Sequence, residues 1–185
     1  MTEQVIVKEI VETKAQLSCE LPDIARLKSI SIELLEAQVE LKEHLAERIP
    51  TINDWLEGQR HPITDVPFAA RLTETNEGKL VEVVVPEFHS DFDAQLPEDL
   101  LTATDKKQFD ECALQLREAI TNNPELTARF DDIQLEQINN SETPDGFVWH
   151  HDATVGKMQL VNEETHVKTG HTGGKYIWGG GSENR

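Results

Sequence analysis

The stretch GFVWHHDATVGKMQLVNEETHVKTGHTGG, residues 146–174, decides the fold of the surrounding chain. FVWHHD and KMQLVN are short strand-like runs separated by the tight ATVG, and EETHVKTG can form a short helix that ends at Gly170. The predicted order is therefore strand, turn, strand, helix. Four of the seven histidines of the chain lie in this stretch: His150, His151, His166 and His171.

The spacing of these histidines separates their tasks. Neighbouring residues of a strand point to opposite faces, so His150 and His151 cannot do the same job; one can ligate a metal while the other addresses a substrate or a water. His166 faces back toward the strands from the predicted helix, and His171 returns close to it just beyond the helix end. One strand histidine and two helix-end histidines thus meet about a point, and three protein nitrogens leave coordination positions open for catalysis.

The residues before this stretch predict helices interrupted by one hairpin. Hydrophobic residues at spacings of three and four predict an amphipathic helix over residues 23–48, and a short helix follows in INDWLEGQ, residues 52–59. The alternating run FAARLTETNEGKLVEVVVP, residues 68–86, turns at Glu77-Gly78 and predicts a β-hairpin.

Two further helices are predicted between the hairpin and the histidine-rich stretch. The first is capped by Thr104 or Asp105 and ends at Asn122-Asn123, and the second begins at Pro124 and ends at Asn139-Asn140. Their predicted buried stripes are Phe109, Cys112, Leu116 and Ile120 in the first helix and Leu126, Phe130 and Ile133 in the second. The class is therefore α+β, with a mostly helical N-terminal part.

The charge of the chain is distributed unevenly. The net charge is -18, of which residues 1–143 carry -17 and residues 144–185 carry -1. The overall acidity argues against nucleic-acid binding through a general basic surface. The histidine-rich end is nearly neutral, however, and a divalent cation bound there would make it locally positive.

The spacing of the cysteines and the hydropathy of the chain indicate the cellular compartment of the protein. Cys19 and Cys112 are far apart and outside any C-x-x-C pattern, so we expect both to be reduced and structural. The chain has no apolar run of about 18 residues, and its start lacks the order of a signal peptide. We expect a cytoplasmic protein, or one exported without a cleavable signal peptide.

At the words GFVWHHD, GKMQLV, ETH and GHTGG, the chain resembles the HNH nucleases of the His-Me finger (ββα-metal) superfamily. Within that superfamily it is most similar to the Trp-His-His (WHH) subgroup of bacterial polymorphic toxins, which is related to endonuclease VII-type and colicin-type DNases. The resemblance implies a nuclease domain over residues 84–185 with its ββα motif at residues 146–174. It leaves unmatched an acidic, helix-rich region over residues 1–80, with the hairpin near its end.

The colicin-type pattern implies a role for each histidine. It makes His151 the general base and makes His150, His166 and His171 the ligands of one divalent metal ion, which can be Mg, Mn, Ni or Zn. Two positions depart from that pattern. Four residues separate His166 from His171 where the family has three, and Lys157 stands where the family has the asparagine that braces the loop holding the general base.

The implied activity is metal-dependent hydrolysis of phosphodiester bonds in duplex DNA, with little sequence specificity because Lys and Arg are few. Lys157, Lys168 and Lys175 are candidate phosphate contacts or plain surface charges. The acidic region 1–80 is a candidate docking surface for a carrier, a secretion component or an immunity protein, or else a solvated face over a helical core.

Two other functions remain open at the level of sequence. The enzyme can act on RNA instead of DNA. Alternatively, the histidines can hold a structural zinc in a protein-binding module of adaptor or immunity type. Cysteines lie away from the cluster and one histidine of the pair is left over, which favours the enzyme over the module.

Overall fold

The computed structural model describes residue 32 and residues 46–181. We number the strands and α-helices of the latter range in chain order. They are β1 Glu47–Arg48, β2 Phe68–Glu74, β3 Leu80–Pro86, β4 Phe92–Gln95, α1 Asp105–Asn122, α2 Pro124–Thr127, α3 Asp132–Asn139, β5 Phe147–His151, β6 Lys157–Asn162, α4 Glu163–Lys168 and α5 Gly174–Ile177. The α+β class predicted from sequence is confirmed.

The predicted hairpin is confirmed as β2 and β3. The strands pair antiparallel from Phe68 opposite Pro86 to Glu74 opposite Leu80. The turn between them uses Gly78 at φ +75, in the left-handed region where glycine costs least. β1 adds a third strand, parallel to β3.

The predicted helix over residues 23–48 falls mostly outside the described residues. Its last part is wrong, because Glu47 and Arg48 are a strand opposite Val81 and Glu82. The amide of Ile49 continues this pairing by donating to the carbonyl of Glu82 at 3.0 Å. Backbone hydrogen bonds to the open edge of β3 thus outweigh the local helical pattern.

The short helix predicted in residues 52–59 is reduced to a single 3-10 turn, Asp54–Leu56. Asn53 before the turn has φ +65, and Gly58 after it has φ +69, so the backbone cannot continue as a helix in either direction. The turn still buries Leu56, which is 2% exposed.

A second three-stranded sheet carries the histidine-rich stretch, with β6 between β4 and β5. The predicted strand pair is confirmed as β5 and β6, antiparallel from Phe147 opposite Asn162 to His151 opposite Met158. β4 was not predicted. It pairs with the other edge of β6, with Phe92 opposite Leu160.

The first predicted interior helix is confirmed as α1, preceded by Thr104 at its N-cap position. The second was predicted as one helix, which is wrong: the structure has two separate helices, α2 and α3. Asp131 and Gln134 form a capping box that starts α3 anew. The restart changes the helical phase, so Ile133 is 64% exposed and Ile138 is buried in its place.

One hydrophobic core joins β3, β4, α1, β5, β6 and α5. Its members include Val81, Val83, Leu96, Cys112, Leu116, Trp149, Met158, Leu160, Ile177 and Trp178. A smaller cluster lies on the other side of the second sheet and contains Val66, Phe88 and Val161, with Val148 against it. β5 therefore has two packed faces, one with Trp149 and one with Val148.

The cysteine expectation can be examined at one position. Burial raises the pKa of the Cys112 thiol to about 12, so this side chain is protonated and packs as a small apolar group. Cys19 lies outside the described residues. Within the described part of the chain, none of the helices is long and apolar enough to cross a membrane.

Candidate active site

Three histidines from one strand, one helix and the segment after that helix meet at one point. His150 lies on β5, His166 on α4 and His171 in the segment that follows α4. One ring nitrogen from each can be chosen such that all lie within 4.8 Å of one another. Nδ1 of His150 and Nε2 of His171 are 3.3 Å apart. The structure thus brings together the three residues that the sequence predicted as metal ligands.

Phe88 forms the apolar base of this cluster. Its ring centroid lies 4.8 Å from that of His150, 5.4 Å from His166 and 5.2 Å from His171. Phe88 lies two residues after the end of the hairpin and is 7% exposed. Its ring therefore covers one side of the three imidazoles and keeps water from that side.

Burial lowers the pKa of all three imidazoles. Loss of solvation is the main cause, and neighbouring histidines add to it for His150 and His166. The pKa of His166 falls to about 4, and that of His150 lies well below its usual range. The pKa of His171 is also lowered by burial, although its hydrogen bond to Thr169 opposes the decrease. At neutral pH the cluster is a set of neutral imidazoles, which is the form that binds a metal ion.

The donor set fits a divalent transition metal. Nδ1 of His171 donates to the carbonyl of Thr169 at 2.6 Å, so the lone pair of the neutral ring is on Nε2, the nitrogen that faces His150. Such a backbone contact is the usual way to orient a ligating histidine. Two imidazoles that share one ion at about 2.1 Å have nitrogens roughly 3.3 Å apart in tetrahedral geometry, as this pair does. Within residues 46–181, the cluster contains imidazoles and no carboxylate or thiol.

His151 lies on the opposite face of β5, in a polar network. Its Nε2 is 2.8 Å from Oε1 of Gln108 on α1 and 4.0 Å from Oδ1 of Asp105. The rings of Phe109 and Trp178 flank it at 5.8 and 5.7 Å. His151 is 8% exposed, so the contact with Gln108 is shielded from bulk water.

Lys175 of α5 completes the network. Its ammonium donates to Oε1 of Gln108 at 3.0 Å and to the carbonyl of Ala103 at 2.9 Å. It also lies 2.9 Å from Oδ1 of Asp105, outside hydrogen-bond alignment, so this contact is electrostatic. The charge of Lys175, which is 7% exposed, is therefore compensated inside the protein.

The loop after His151 is held by the glycine pair. The backbone of Gly174 packs so closely against the loop that a Cβ there would lie 2.0 Å from the carbonyl oxygen of Asp152. Nε1 of Trp178 donates to that same oxygen at 2.9 Å. The amide of Asp152 donates to the carbonyl of Lys157 at 3.0 Å and closes the loop. GHTGG thus contributes a ligand and also the close approach that positions the loop of His151.

The three lysines named from the sequence lie in different surroundings. Lys157 on β6 pairs with Asp93 at 3.0 Å, and Lys168 on α4 pairs with Glu164 at 2.5 Å on an exposed surface. Lys175 is buried in the network described above. Their role as phosphate contacts stays a prediction.

Both faces of β5 open onto one cavity of about 700 Å³. His150, His166 and His171 line it together with His151 and Lys175. Tyr176 and Ile52, which are 69% and 57% exposed, also line it. A group bound to the three histidines can therefore face His151 across one space.

A family model for the DNase/tRNase domain of colicin-like bacteriocins matches residues 79–173. The chain belongs to this family. The match begins in the hairpin and ends at the first residue of the glycine pair, so it covers the histidine cluster, His151, Asp105 and Gln108, and it ends before Lys175. No curated protein and no solved structure is significantly similar to the chain. The colicin-type domain is accordingly a nuclease of toxin type.

Sequence reasoning missed four residues of the site: Asp105, Gln108, Phe88 and Trp178 as a loop contact. A signal for Gln108 was present, because it shares a helical phase with Cys112 and Leu116 and so places an amide on a buried stripe. Phe88 and Trp178 gave no signal apart from being aromatic.

Proposed function

We propose that this colicin-type domain is a metal-dependent endonuclease that hydrolyses phosphodiester bonds of DNA with little sequence specificity. One observation carries the proposal: three neutral imidazoles and a fourth, separately held imidazole line a single cavity. Three protein ligands leave coordination positions for substrate, as a hydrolytic metal site requires.

His150, His166 and His171 hold the divalent ion, and His151 is the general base. His151 takes a proton from water, the water oxygen bonds to phosphorus, and the bond from phosphorus to the 3′ oxygen breaks. The departing 3′ oxygen gains its proton from solvent. When bound, the ion supplies Lewis-acid stabilisation of the negative charge on the phosphate and on the leaving oxygen.

Low sequence specificity follows from the composition of the site. Base readout needs Arg, Lys, Asn or Gln side chains directed at base edges, and the basic residues near the cavity are few. Lys175 has its charge compensated by Asp105, which leaves backbone and metal contacts as the main source of affinity. Lys157 and Lys168 are proposed as secondary phosphate contacts.

RNA is the second candidate substrate, because the description of the matched family names both DNases and tRNases. The same cavity and the same general base serve either polymer. The non-enzymatic zinc module is disfavoured, because a structural site uses four protein ligands and the cluster contains three among residues 46–181.

The proposal is tested with the full chain and supercoiled plasmid. We expect nicking and linearisation with at least one of Mg²⁺, Mn²⁺, Ni²⁺ or Zn²⁺, and none with chelator. A transfer RNA and a single-stranded RNA, assayed in parallel, compare the two substrate classes. Absence of cleavage of every substrate with all four metals would exclude the enzyme and favour the zinc module.

The acidic N-terminal region is proposed as a docking surface for a carrier, a secretion component or an immunity protein. A truncation to test it should begin at residue 46. A start near residue 84 would cut through β3 and remove Val81 and Val83 from the core. If the chain lacking residues 1–45 matches the full chain in cleavage, partner binding and self-association, a docking role of residues 1–45 is excluded.

A further inference from the structure

The side-chain amide of Gln108 has a partner at all four of its hydrogen-bonding positions. Its Nε2 donates to the carbonyls of Leu100 and Leu101, each at 2.8 Å. Its Oε1 accepts from Nζ of Lys175 at 3.0 Å and from Nε2 of His151 at 2.8 Å. Carbonyl oxygens only accept and an ammonium only donates, so this amide can sit in one orientation alone. Gln108 is fully buried, and a reversed amide would leave several polar groups without partners.

The fixed amide determines where the proton of His151 lies. Because Oε1 of Gln108 is an acceptor, Nε2 of His151 must carry a hydrogen. The lone pair of the neutral ring is then on Nδ1. A general base needs this lone pair directed at the reacting water, and a ring free to rotate or change tautomer would present it only part of the time.

The residue at the asparagine position closes the loop after His151 through its backbone carbonyl, while its side chain is directed elsewhere. Lys157 directs its ammonium to Asp93, with the two groups 3.0 Å apart. The polar contact to the ring of His151 comes instead from α1, a helix that precedes the histidine-rich stretch. Lys175 of α5, the residue directly after the glycine pair, donates to the same amide. Gln108 therefore connects α1, which precedes the histidine-rich stretch, to α5, which lies at its end.

We propose that Gln108 is a positioning residue for the general base, which holds His151 with the proton on Nε2 and the lone pair on Nδ1. This inference rests on the proposed role of His151. Asp105 and Lys175 support the arrangement, since Lys175 anchors Oε1 of Gln108 and Asp105 places a negative charge 4.0 Å from Nε2 of the ring.

The experiment compares three full-length chains: wild type, Gln108→Met and Gln115→Met. Methionine keeps the volume of glutamine without its polar atoms. Gln115 is the matched control, because it lies on the same helix and bonds the backbone of Gln95 instead of the site. The readouts are kcat and KM on plasmid DNA with metal added, metal affinity, and ¹⁵N NMR of histidine-labelled protein at about pH 8, where an ordinary histidine is neutral.

We expect the wild type to show His151 protonated at Nε2, with its signals identified by their loss in His151→Ala. Gln108→Met should lower kcat roughly 10- to 100-fold with KM and metal affinity nearly unchanged. Gln115→Met should behave as wild type.

Several results would overturn the proposal. They are an Nδ1-protonated His151 in an active wild type, a Gln108→Met enzyme with unchanged kcat, or an equal loss in Gln115→Met. If Gln108→Met fails to fold, the tautomer of the wild type decides the question alone. Failure of the proposed function is distinguishable, because it appears as absence of cleavage by the wild type whatever the tautomer.

Discussion

The two faces of β5 give the same side chain two different surroundings. On one face, His150 meets His166, His171 and the ring of Phe88, with neutral imidazoles and apolar carbon around it. On the other face, His151 meets an amide, and a carboxylate and an ammonium lie close by. The two residues are adjacent in sequence, and the pleat of the strand separates them.

This difference shows how the surroundings divide the work of two identical side chains. A ligand must stay unprotonated, which burial beside other imidazoles ensures by lowering the pKa. A base must present its lone pair to the water from which it takes the proton, and a neighbouring acceptor fixes which ring nitrogen carries that lone pair. The first face is suited to an ion and the second to a proton.

The largest expected effect comes from removing the base while leaving the ion site intact. His151→Ala should lower kcat by about 10² to 10⁴. Metal affinity, measured by calorimetry, should stay close to that of wild type because the ligands are on the other face of β5. The matched control is His61→Ala, since His61 is also buried, at 9% exposed, and does not line the cavity. Cleavage by His151→Ala at the wild-type rate would contradict the proposal that one face of β5 carries the general base and the other the metal ligands.

Removing a metal ligand while leaving the base intact should lower the metal affinity. His166→Ala removes one of three ligands and should weaken metal affinity by roughly 100-fold or more, since loss of an outer-shell partner alone costs 10- to 100-fold. Excess metal should restore part of the activity, because the network of His151 is unchanged. Exposed His89 supplies the control, as His89→Ala. Equal metal affinity in the two variants would contradict the ligand assignment.

Lowering the pH should destabilise the metal-free protein, because the buried histidines on the first face of β5 are protonated less readily than in the unfolded chain. The folded pKa values of His150, His166 and His171 lie below the unfolded value of about 6.5. The unfolded state therefore binds more protons in this window, and the free energy of unfolding falls as pH falls. For His166 the loss is spread between about pH 6.5 and about pH 4.

Urea unfolding with chelator, repeated from pH 7.5 to pH 4.5, measures this dependence. His166→Gln has no titratable group at that position and should show a shallower loss of stability than wild type. Equal slopes for the two proteins would contradict the buried, neutral state of His166.

The smallest expected effect lies outside both faces. Lys168 forms an exposed pair with Glu164 one helical turn away, so Lys168→Ala should change stability by about 0.5 kcal/mol or less. If Lys168 contacts phosphate, the salt dependence of DNA binding should also weaken by about one charge. The matched control is Lys106→Ala, which removes an exposed pair of the same spacing with Asp110 on α1. Identical salt dependence of DNA binding in both variants would exclude Lys168 as a phosphate contact.

Sequence patterns predicted those parts of the fold that depend on local periodicity. The hairpin, α1 and the β5-β6-α4 order follow from alternation, helical spacing and turn residues, and the structure has them within a few residues. The strand β1 and the break before α3 were mispredicted, and β4 was missed. β1 and β4 are short edge strands whose pairing depends on the open side of a neighbour and not on their own residues.

By itself, the sequence determined that His150 and His151 must have different tasks, because a strand alternates its side chains whatever surrounds it. It also placed His166 and His171 close enough to share an ion with a strand histidine. Only the tertiary structure decided which groups surround His151. Gln108 is 43 residues from His151 in sequence and Lys175 is 67 residues from Gln108, so their meeting depends on how α1 and α5 pack against β5. Periodicity specifies the face on which a side chain lies, whereas packing specifies what that face contacts.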